Sequence, residues 1–237
     1  TRSACASSST TPSSSAADSS TRHTPAAGGE LSRPEQFETP KRRTVVGGRW
    51  QSSTMRILVW NMGHWQCPTE LRAAAWKQIE SVHPDFALLQ ECSVPAKYQT
   101  RAVFGVIGGR RRWGSAVVSW NHDLQPITHV AGRASKVEDD LMQTYPGSVA
   151  VASATVGSEL VTLVSVYGVI ENGYADTTVN KQLSDLAPLF DNPRHEKALL
   201  LGGDLNITTQ WSGRERRYSL WEQATFDRIR AFGLRDC

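Results

Sequence analysis

Three short apolar runs in this sequence end directly in polar side chains, and this feature constrains the fold more than any other. The runs RILVW, FALLQ and ALLLGG lead into Asn61, Glu91 and Asp204 respectively. Continuous apolar runs of this length are typical of strands that are buried on both faces. Polar groups just beyond the carboxyl ends of such strands commonly lie together in a crevice where ligands bind. The sequence therefore predicts strands that share a polar site at one end.

Helical patterns separate these runs. Apolar side chains recur at helical spacing between Pro68 and Pro84, and Pro84 ends the helix because a proline ring prevents continuation. Two further helices are predicted over 177–190 and 218–233, the second of them ending at Gly233.

Further strands are predicted where β-branched residues are frequent. These segments are 114–120, 148–156 and 160–168, and the last two are joined by a predicted hairpin at 157–159. The order of helices and strands indicates an α/β fold with a large antiparallel component.

The first 54 residues differ in composition from the rest of the chain. They are rich in Ser, Thr and Ala and poor in large apolar side chains, so they bury too little surface to offset the entropy of ordering. We expect residues 1–54 to be a disordered tail. Because Met55 directly precedes the first strand, the favoured interpretation is that this tail is untranslated sequence read as protein. An organelle transit peptide is an alternative, whereas export is disfavoured since no apolar run follows the paired arginines at 42–43.

Charge and cysteine content narrow the class of protein. The formal net charge of +3 belongs to the tail, since residues 55–237 contain 19 basic and 19 acidic residues. The part of the chain beyond the tail is therefore neutral overall, and its net charge gives no indication of nucleic-acid binding. The four cysteines show no paired or metal-binding spacing, and no run approaches the roughly 18 apolar residues needed to span a bilayer. We expect a cytoplasmic protein with reduced cysteines, of undetermined oligomeric state.

The polar strand ends suit a hard divalent cation. Glu91 and Asp204 are carboxylates that would repel each other and be costly to desolvate without a positive partner, and Asn61 and Asn206 add amide oxygens. Mg²⁺ takes one or two protein carboxylates and completes its shell with water and substrate phosphate. Each residue alone also suits an ordinary turn, but their occurrence after three separate strands favours a site.

Five blocks of the sequence resemble the endonuclease/exonuclease/phosphatase family. They are, in chain order, VWNMG, PDFALLQE, RWGSAVVS, VSVYG and LLLGGDLNI. The family includes apurinic/apyrimidinic endonucleases and pancreatic deoxyribonuclease, and the resemblance covers residues 55–237. It implies a four-layer α/β-sandwich, in which helices flank two packed mixed sheets. It also implies hydrolysis of a phosphate ester with Mg²⁺, or with Mn²⁺ in its place.

The resemblance implies a role for each matching residue. Glu91 matches the family's metal-binding glutamate, and Asn61 matches the asparagine beside that metal. Asp204 matches the aspartate that orients or deprotonates the attacking water for in-line displacement, and Asn206 the asparagine that helps to hold metal or phosphate. Tyr167 falls on a tyrosine that some members direct at the phosphate. The Pro-Asn that usually follows this tyrosine is absent here, so packing of the ring is an equal alternative.

Substrate contacts are indicated less directly. Arg111, Arg112 and Trp113 precede a strand in a region that often faces substrate in the family. Arginine can bind phosphate bidentately and tryptophan can stack on a base, although a solvated basic turn is the alternative. His64, close to Asn61 in sequence, is a further candidate for phosphate binding or else a structural hydrogen-bonding group. The expected substrate is a phosphate ester, and DNA, RNA, a phosphoinositide and a small phosphodiester all stay open.

One family motif has no match in the sequence. It is the Ser-Asp-His near the carboxyl end, so we expect the sandwich to lack its last strands and the chain to be weakly active or inactive. The sequence is consistent with two functions. The first is a Mg²⁺-dependent phosphoesterase, and the second is a degenerate family member that binds phosphate or a partner without catalysis. Retention of the polar strand ends favours the enzyme, whereas loss of the histidine favours the binding module.

Overall fold

The structure, a computed structural model, describes residues 55–108, 111–131, 137–210 and 216–235. The expected disordered tail and the domain boundary at residue 55 lie outside this part of the chain and stay predictions. None of the helices in these ranges is both long and apolar enough to cross a membrane.

Two four-stranded sheets form the centre of the protein. The first contains β1 (Ile57–Asn61), β2 (Phe86–Cys92), β3 (Ala102–Phe104) and β4 (Gly114–Ser119), in the spatial order β1-β2-β4-β3. The second contains β5 (Gln125–Pro126), β8 (Val149–Val156), β9 (Glu159–Tyr167) and β10 (Leu199–Asp204), in the order β10-β9-β8-β5. A separate pair is formed by β6 (His129–Ala131) and β7 (Glu138–Asp140).

Both sheets are mixed. The pairs β1–β2 and β9–β10 are parallel, whereas β2–β4 and β8–β9 are antiparallel. The β8–β9 hairpin is tighter than predicted, because Gly157 and Ser158 alone form the turn and Glu159 already belongs to β9. Gly157 has a φ of +62°, which suits a two-residue hairpin turn.

The helices are α1 (Thr69–Val82), α2 (Asp176–Asp185), α3 (Ala187–Phe190) and α4 (Arg216–Ala231), with short 3₁₀-helices at Ala96–Arg101 and Glu196–Ala198. The single helix predicted over 177–190 is wrong, since the structure divides it at Leu186. Pro188 explains the division because it has no N–H to continue the hydrogen bonding of α2. After α4, Gly233 adopts a φ of +87° and donates its N–H to the carbonyl of Arg230, as its position predicted.

Three clusters of buried apolar side chains fill the spaces between four layers. Phe86 and Leu88 of β2 face the second sheet and pack against Leu163. The alternate β2 residues face the opposite way and pack with Trp76 of α1. On the outer face of the second sheet, a larger cluster includes Val164 together with residues of α2 and α3. The layers are therefore α1, the first sheet, the second sheet and the remaining helices, which confirms the predicted four-layer α/β-sandwich.

The pairing directions bring several strand ends together. Parallel pairing places the carboxyl ends of β1 and β2 side by side, and those of β9 and β10 likewise. Because β4 runs antiparallel to β2, the amino end of β4 lies beside Cys92. We call this end of the sandwich, marked by Asn61, Glu91, Tyr167 and Asp204, the polar end. The expectation that the sandwich lacks its last strands stays a prediction.

Two glycines let β10 approach its neighbours closely just before Asp204. A Cβ on Gly203 would lie 1.9 Å from the backbone oxygen of Val166 in β9. A Cβ on Gly202 would lie 2.9 Å from the side chain of Leu88 in the facing sheet. The absence of side chains at these two positions therefore allows β10, which carries Asp204, to pack closely against β9 and the facing sheet.

We predict that Gly203→Ala destabilises the protein by about 3 kcal/mol, because its methyl group would overlap rigid backbone. The matched control is Gly157→Ala, where a Cβ meets nothing within 4 Å and only the left-handed backbone is penalised, by about 1 kcal/mol. Urea denaturation of both variants measures the difference. Equal losses of unfolding free energy would contradict the close approach of β10 to β9.

Candidate functional site

Asn61 and Asp204 lie at the ends of the two edge strands and join the sheets at the polar end. The side-chain N–H of Asn61 donates to Oδ2 of Asp204 over 2.6 Å. Oδ1 of Asn61 accepts a 3.0 Å bond from the backbone N–H of Gly63, and Oδ1 of Asp204 accepts a 3.0 Å bond from that of Asn206. Each oxygen of the half-buried Asp204 carboxylate therefore has one donor and keeps capacity to accept another proton.

Asn206 supports this carboxylate from a turn. Strand β10 ends at Asp204, and Asn206 has a φ of +52°, so the chain turns instead of continuing as an extended segment. The Asn206 amide donates to the carbonyl of Gly168 over 2.9 Å, and the N–H of Gly168 donates to the carbonyl of Asp204 over 2.8 Å. The two loops that leave β9 and β10 are thereby tied together.

Glu91 lies in a bulge near the end of β2. The pairing of β2 with β4 shifts register between Leu89 and Cys92, and Glu91 itself has a φ of +48°. A non-glycine residue in the left-handed region is uncommon, and backbone strain of this kind is concentrated at functional sites. The side chain is buried, at 8% exposure, and its Oε2 accepts a hydrogen bond from the indole N–H of Trp65. Trp65 was not predicted from the sequence, because the two residues are 26 positions apart.

His64 fastens the turn after β1 to the same bulge. Its backbone N–H donates to the carbonyl of Glu91 over 3.0 Å, and its Nδ1 accepts a 2.8 Å bond from the N–H of Ser93. Burial, and secondarily the positive charge of Arg72, lower the pKa of the imidazole to about 4. The ring therefore makes a structural hydrogen bond, as the alternative interpretation of His64 expects. Phosphate binding by His64 stays a prediction.

Tyr167 lies beside both carboxylates. It is opposite Asp204 in the β9–β10 pair and is buried, at 6% exposure. Burial, the negative charge of Glu91 and a hydrogen bond with that carboxylate raise the pKa of the tyrosine to about 12, against a smaller opposing effect of Arg111. The hydroxyl is therefore protonated at neutral pH and able to donate a hydrogen bond.

Of the four predicted substrate-binding residues, Arg111 and Trp113 have side chains that lie near Tyr167. The ring of Trp113 meets that of Tyr167 edge to face, with 5.4 Å between centroids. The guanidinium carbon of Arg111 lies 5.5 Å from the centre of the Trp113 ring. Arg112 contributes its backbone carbonyl, which accepts a 3.0 Å bond from the hydroxyl of Ser93, while its side chain is exposed.

A buried polar pair lies beneath the site, between the two sheets. The amide of Gln90 donates to the hydroxyl of Ser165 over 2.9 Å, and that hydroxyl donates to the carbonyl of Leu89 over 2.9 Å. Both side chains are fully buried. These bonds hold β2 and β9 together at the polar end, where apolar contacts between the sheets give way to polar ones. The sequence placed Gln90 in an apolar run and gave no sign of its partner 75 residues away.

The side chains present fit a hard divalent cation. Within the described ranges, neither Glu91 nor Asp204 takes part in an ion pair, so no salt bridge neutralises either charge. The same ranges contain no group of three or more His, Cys, Asp or Glu side chains that could hold a metal. Mg²⁺ needs only one or two protein carboxylates, because water and substrate supply its other oxygen ligands. An oxygen-only set of two carboxylates and two amides matches that requirement.

Comparison with known proteins gives likenesses of fold at low sequence identity. No protein-family model matches the sequence, and no curated protein matches it either. Among solved structures, the endonuclease domain of TRAS1, a telomere-specific non-LTR retrotransposon, is 20% identical with a TM-score of 0.48, covering 76% of this chain and 72% of that one.

Two further solved structures are similar to this chain. D. rerio TDP2 complexed with single strand DNA product is 17% identical with a TM-score of 0.45, covering 66% of this chain and 62% of that one. A protein from Leptotrichia buccalis C-1013-b, described as an endonuclease/exonuclease/phosphatase family protein, is 14% identical with a TM-score of 0.44, covering 77% and 76%.

We predict that His64 makes stability depend on pH in the mildly acidic range. The unfolded chain protonates this histidine near its ordinary pKa of 6.5 and the folded chain only near 4, so acid favours unfolding between these values. The unfolding free energy should therefore lose about 2 kcal/mol through His64 between about pH 7 and pH 5. Urea denaturation of the unsubstituted chain and of His64→Gln measures this loss as the shrinking difference between them. A difference that does not change with pH would contradict a neutral buried imidazole.

Proposed function

We propose that this chain is a Mg²⁺-dependent phosphoesterase of the nuclease or phosphodiesterase type. The observation that supports it best is the convergence of Glu91 and Asp204 with the Tyr167 hydroxyl at the polar end, without a salt bridge to either carboxylate among the described residues. With Glu91 and Asn61 as its protein ligands, Mg²⁺ or Mn²⁺ would neutralise charge on the phosphate group under attack.

Asp204 is the proposed acceptor of the proton from the attacking water. Its two oxygens are held by the amide of Asn61 and the N–H of Asn206, and both keep lone pairs for the water. The carboxylate is half-buried, so water can reach it. Phosphoryl transfer depends mainly on alignment and charge stabilisation, and a fixed carboxylate at this position would align the water for in-line attack.

Tyr167 and Arg111 are the proposed phosphate-binding groups. The tyrosine hydroxyl stays protonated because its pKa is raised to about 12. Its proton is directed at Glu91 in this structure, and it would pass to a phosphate oxygen once a cation occupies that carboxylate. Arg111 lies on the Trp113 ring, which itself contacts Tyr167. A guanidinium beside an indole suits a phosphate ester that carries a base, and nucleic acid is therefore one proposed substrate.

The first prediction of this proposal concerns the proton acceptor. Asp204→Ala should lower Mg²⁺-dependent hydrolysis by about 10²- to 10⁴-fold, because a positioned general base typically contributes that much. Turnover of single-stranded DNA and of bis(p-nitrophenyl) phosphate, with Mg²⁺ and with excess EDTA, measures the effect. Asp139→Ala, in the exposed strand β7, is the control and should leave turnover unchanged.

Unchanged Mg²⁺-dependent turnover in Asp204→Ala would refute the assignment of this residue. If the unsubstituted chain binds both phosphate esters and hydrolyses neither, the chain is the binding module that the sequence left as the alternative.

The second prediction concerns Arg111. Arg111→Ala should raise KM about tenfold with little change in kcat, since it removes a charge-assisted contact to phosphate that is made before the reaction. The variant should also make DNA binding less sensitive to salt, because one fewer phosphate is neutralised. Arg101→Ala, an exposed arginine at the end of a 3₁₀-helix, is the matched control. Identical KM values for the two variants would show that Arg111 is an ordinary solvated surface residue and does not bind phosphate.

A further inference from the structure

Trp65 donates its indole N–H to the carboxylate that we propose as the cation ligand. Its side chain is 55% exposed, so burial of the ring does not explain a tryptophan at this position. What an indole adds is one N–H donor, and in this structure that donor binds Oε2 of Glu91.

The turn that carries Trp65 is fixed to the bulge that carries Glu91. Gly63, with a φ of +54°, opens the turn, and its carbonyl accepts a 2.9 Å bond from the N–H of Gln66. The backbone of His64 and its ring then hydrogen-bond to Glu91 and Ser93 respectively, at 3.0 and 2.8 Å. The indole therefore meets the carboxylate in a geometry that the backbone holds, and not as a mobile surface side chain.

This hydrogen bond leaves the carboxylate able to bind a cation. A carboxylate has two oxygens with about four lone-pair sites, of which the indole and the Tyr167 hydroxyl occupy two. A donor on one oxygen sets the plane of the group and the direction in which its remaining lone pairs point. Carboxylates that ligate metals are commonly oriented by such partners, and loss of the partner typically weakens metal binding by about 10- to 100-fold.

We propose that Trp65 is a positioning residue for Glu91, whose indole N–H orients the carboxylate for a divalent cation at the polar end. The inference rests on the proposed function, since it takes Glu91 as the cation ligand. Trp65 touches neither substrate nor the reacting atoms in this role, and it acts through Glu91 alone.

The test measures cation binding directly, with the full chain and without substrate. Electron paramagnetic resonance of unbound Mn²⁺ gives the affinity, which Trp65→Phe should weaken by about tenfold or more because phenylalanine has no donor. Trp65→His keeps a ring N–H and should recover part of the affinity. Trp221→Phe, which alters an exposed indole on α4, should bind Mn²⁺ as the unsubstituted chain does.

A second readout follows the hydrogen bond itself. The indole ¹⁵N–¹H signal of Trp65, identified by its loss in Trp65→Phe or in Trp65→His, should shift on saturation with Mg²⁺ because the acceptor carboxylate has gained a cation. If Trp65→Phe fails to fold, this signal in the unsubstituted chain and the Trp65→His affinity decide the matter. An indole signal that does not move while Mg²⁺ binds would overturn the proposal.

The remaining outcomes separate the two proposals. Equal Mn²⁺ affinity in Trp65→Phe and in the unsubstituted chain would overturn the positioning role and leave the proposed function intact. Tighter binding by Trp65→Phe would also overturn it, because the indole would then compete with the cation. Absence of Mn²⁺ binding by the unsubstituted chain would overturn the cation site, and the role of Trp65 with it.

Discussion

The hydrogen bond between Asn61 and Asp204 joins the two sheets where their edge strands end, and the polar end is organised around it. Asn61 is the last residue of β1 and Asp204 the last residue of β10. Their parallel neighbours β2 and β9 therefore place Glu91 and Tyr167 beside them, one strand away from each sheet edge. The glycines before Asp204 allow the approach, because any side chain on Gly203 would overlap the backbone of β9. The buried contact between Gln90 and Ser165 then keeps the same ends together below the surface. Four strand ends thus meet with most of their polar groups hydrogen-bonded. Among the described residues, Oε1 of Gln90 and Nε2 of His64 are exceptions in this region, since both are buried without a partner.

The same region carries costs that packing alone does not explain. Glu91 and Asn206 both hold left-handed backbone conformations, which non-glycine residues rarely adopt. Two carboxylates stand close to one buried tyrosine, and the charge of each raises the pKa of that tyrosine. Local conflicts of this kind are expected at functional sites. A divalent cation at Glu91 and a phosphate beside Tyr167 would offset these costs through favourable contacts with the carboxylate and the hydroxyl.

The sequence predicted several helices and strands and the polar strand ends because these depend on local patterns, whereas the four layers were implied by the family resemblance. Apolar runs, helical spacing between Pro68 and Pro84 and the proline positions each act within a few residues, and they located β1, β2, β10 and α1 closely. The contacts of Trp65, Gln90 and His64 could not be predicted in this way, since each joins segments that are distant in the chain. The bulge at Glu91 depends on register with β4, which is a property of the paired strands and not of either alone. Arg111 and Trp113 were suggested by family position, and their approach to Tyr167 follows from the antiparallel direction of β4.

The most direct test of this account is a crystal structure of the chain grown with Mn²⁺, with an anomalous difference map calculated at the manganese edge. The account predicts a single strong peak at the polar end, about 2.1 Å from a carboxylate oxygen of Glu91. It also predicts that the indole of Trp65 stays on the other oxygen and that an ordered water lies against Asp204. A map with no peak beside Glu91, from crystals that contain Mn²⁺ at millimolar concentration, would contradict a cation-dependent centre at these strand ends.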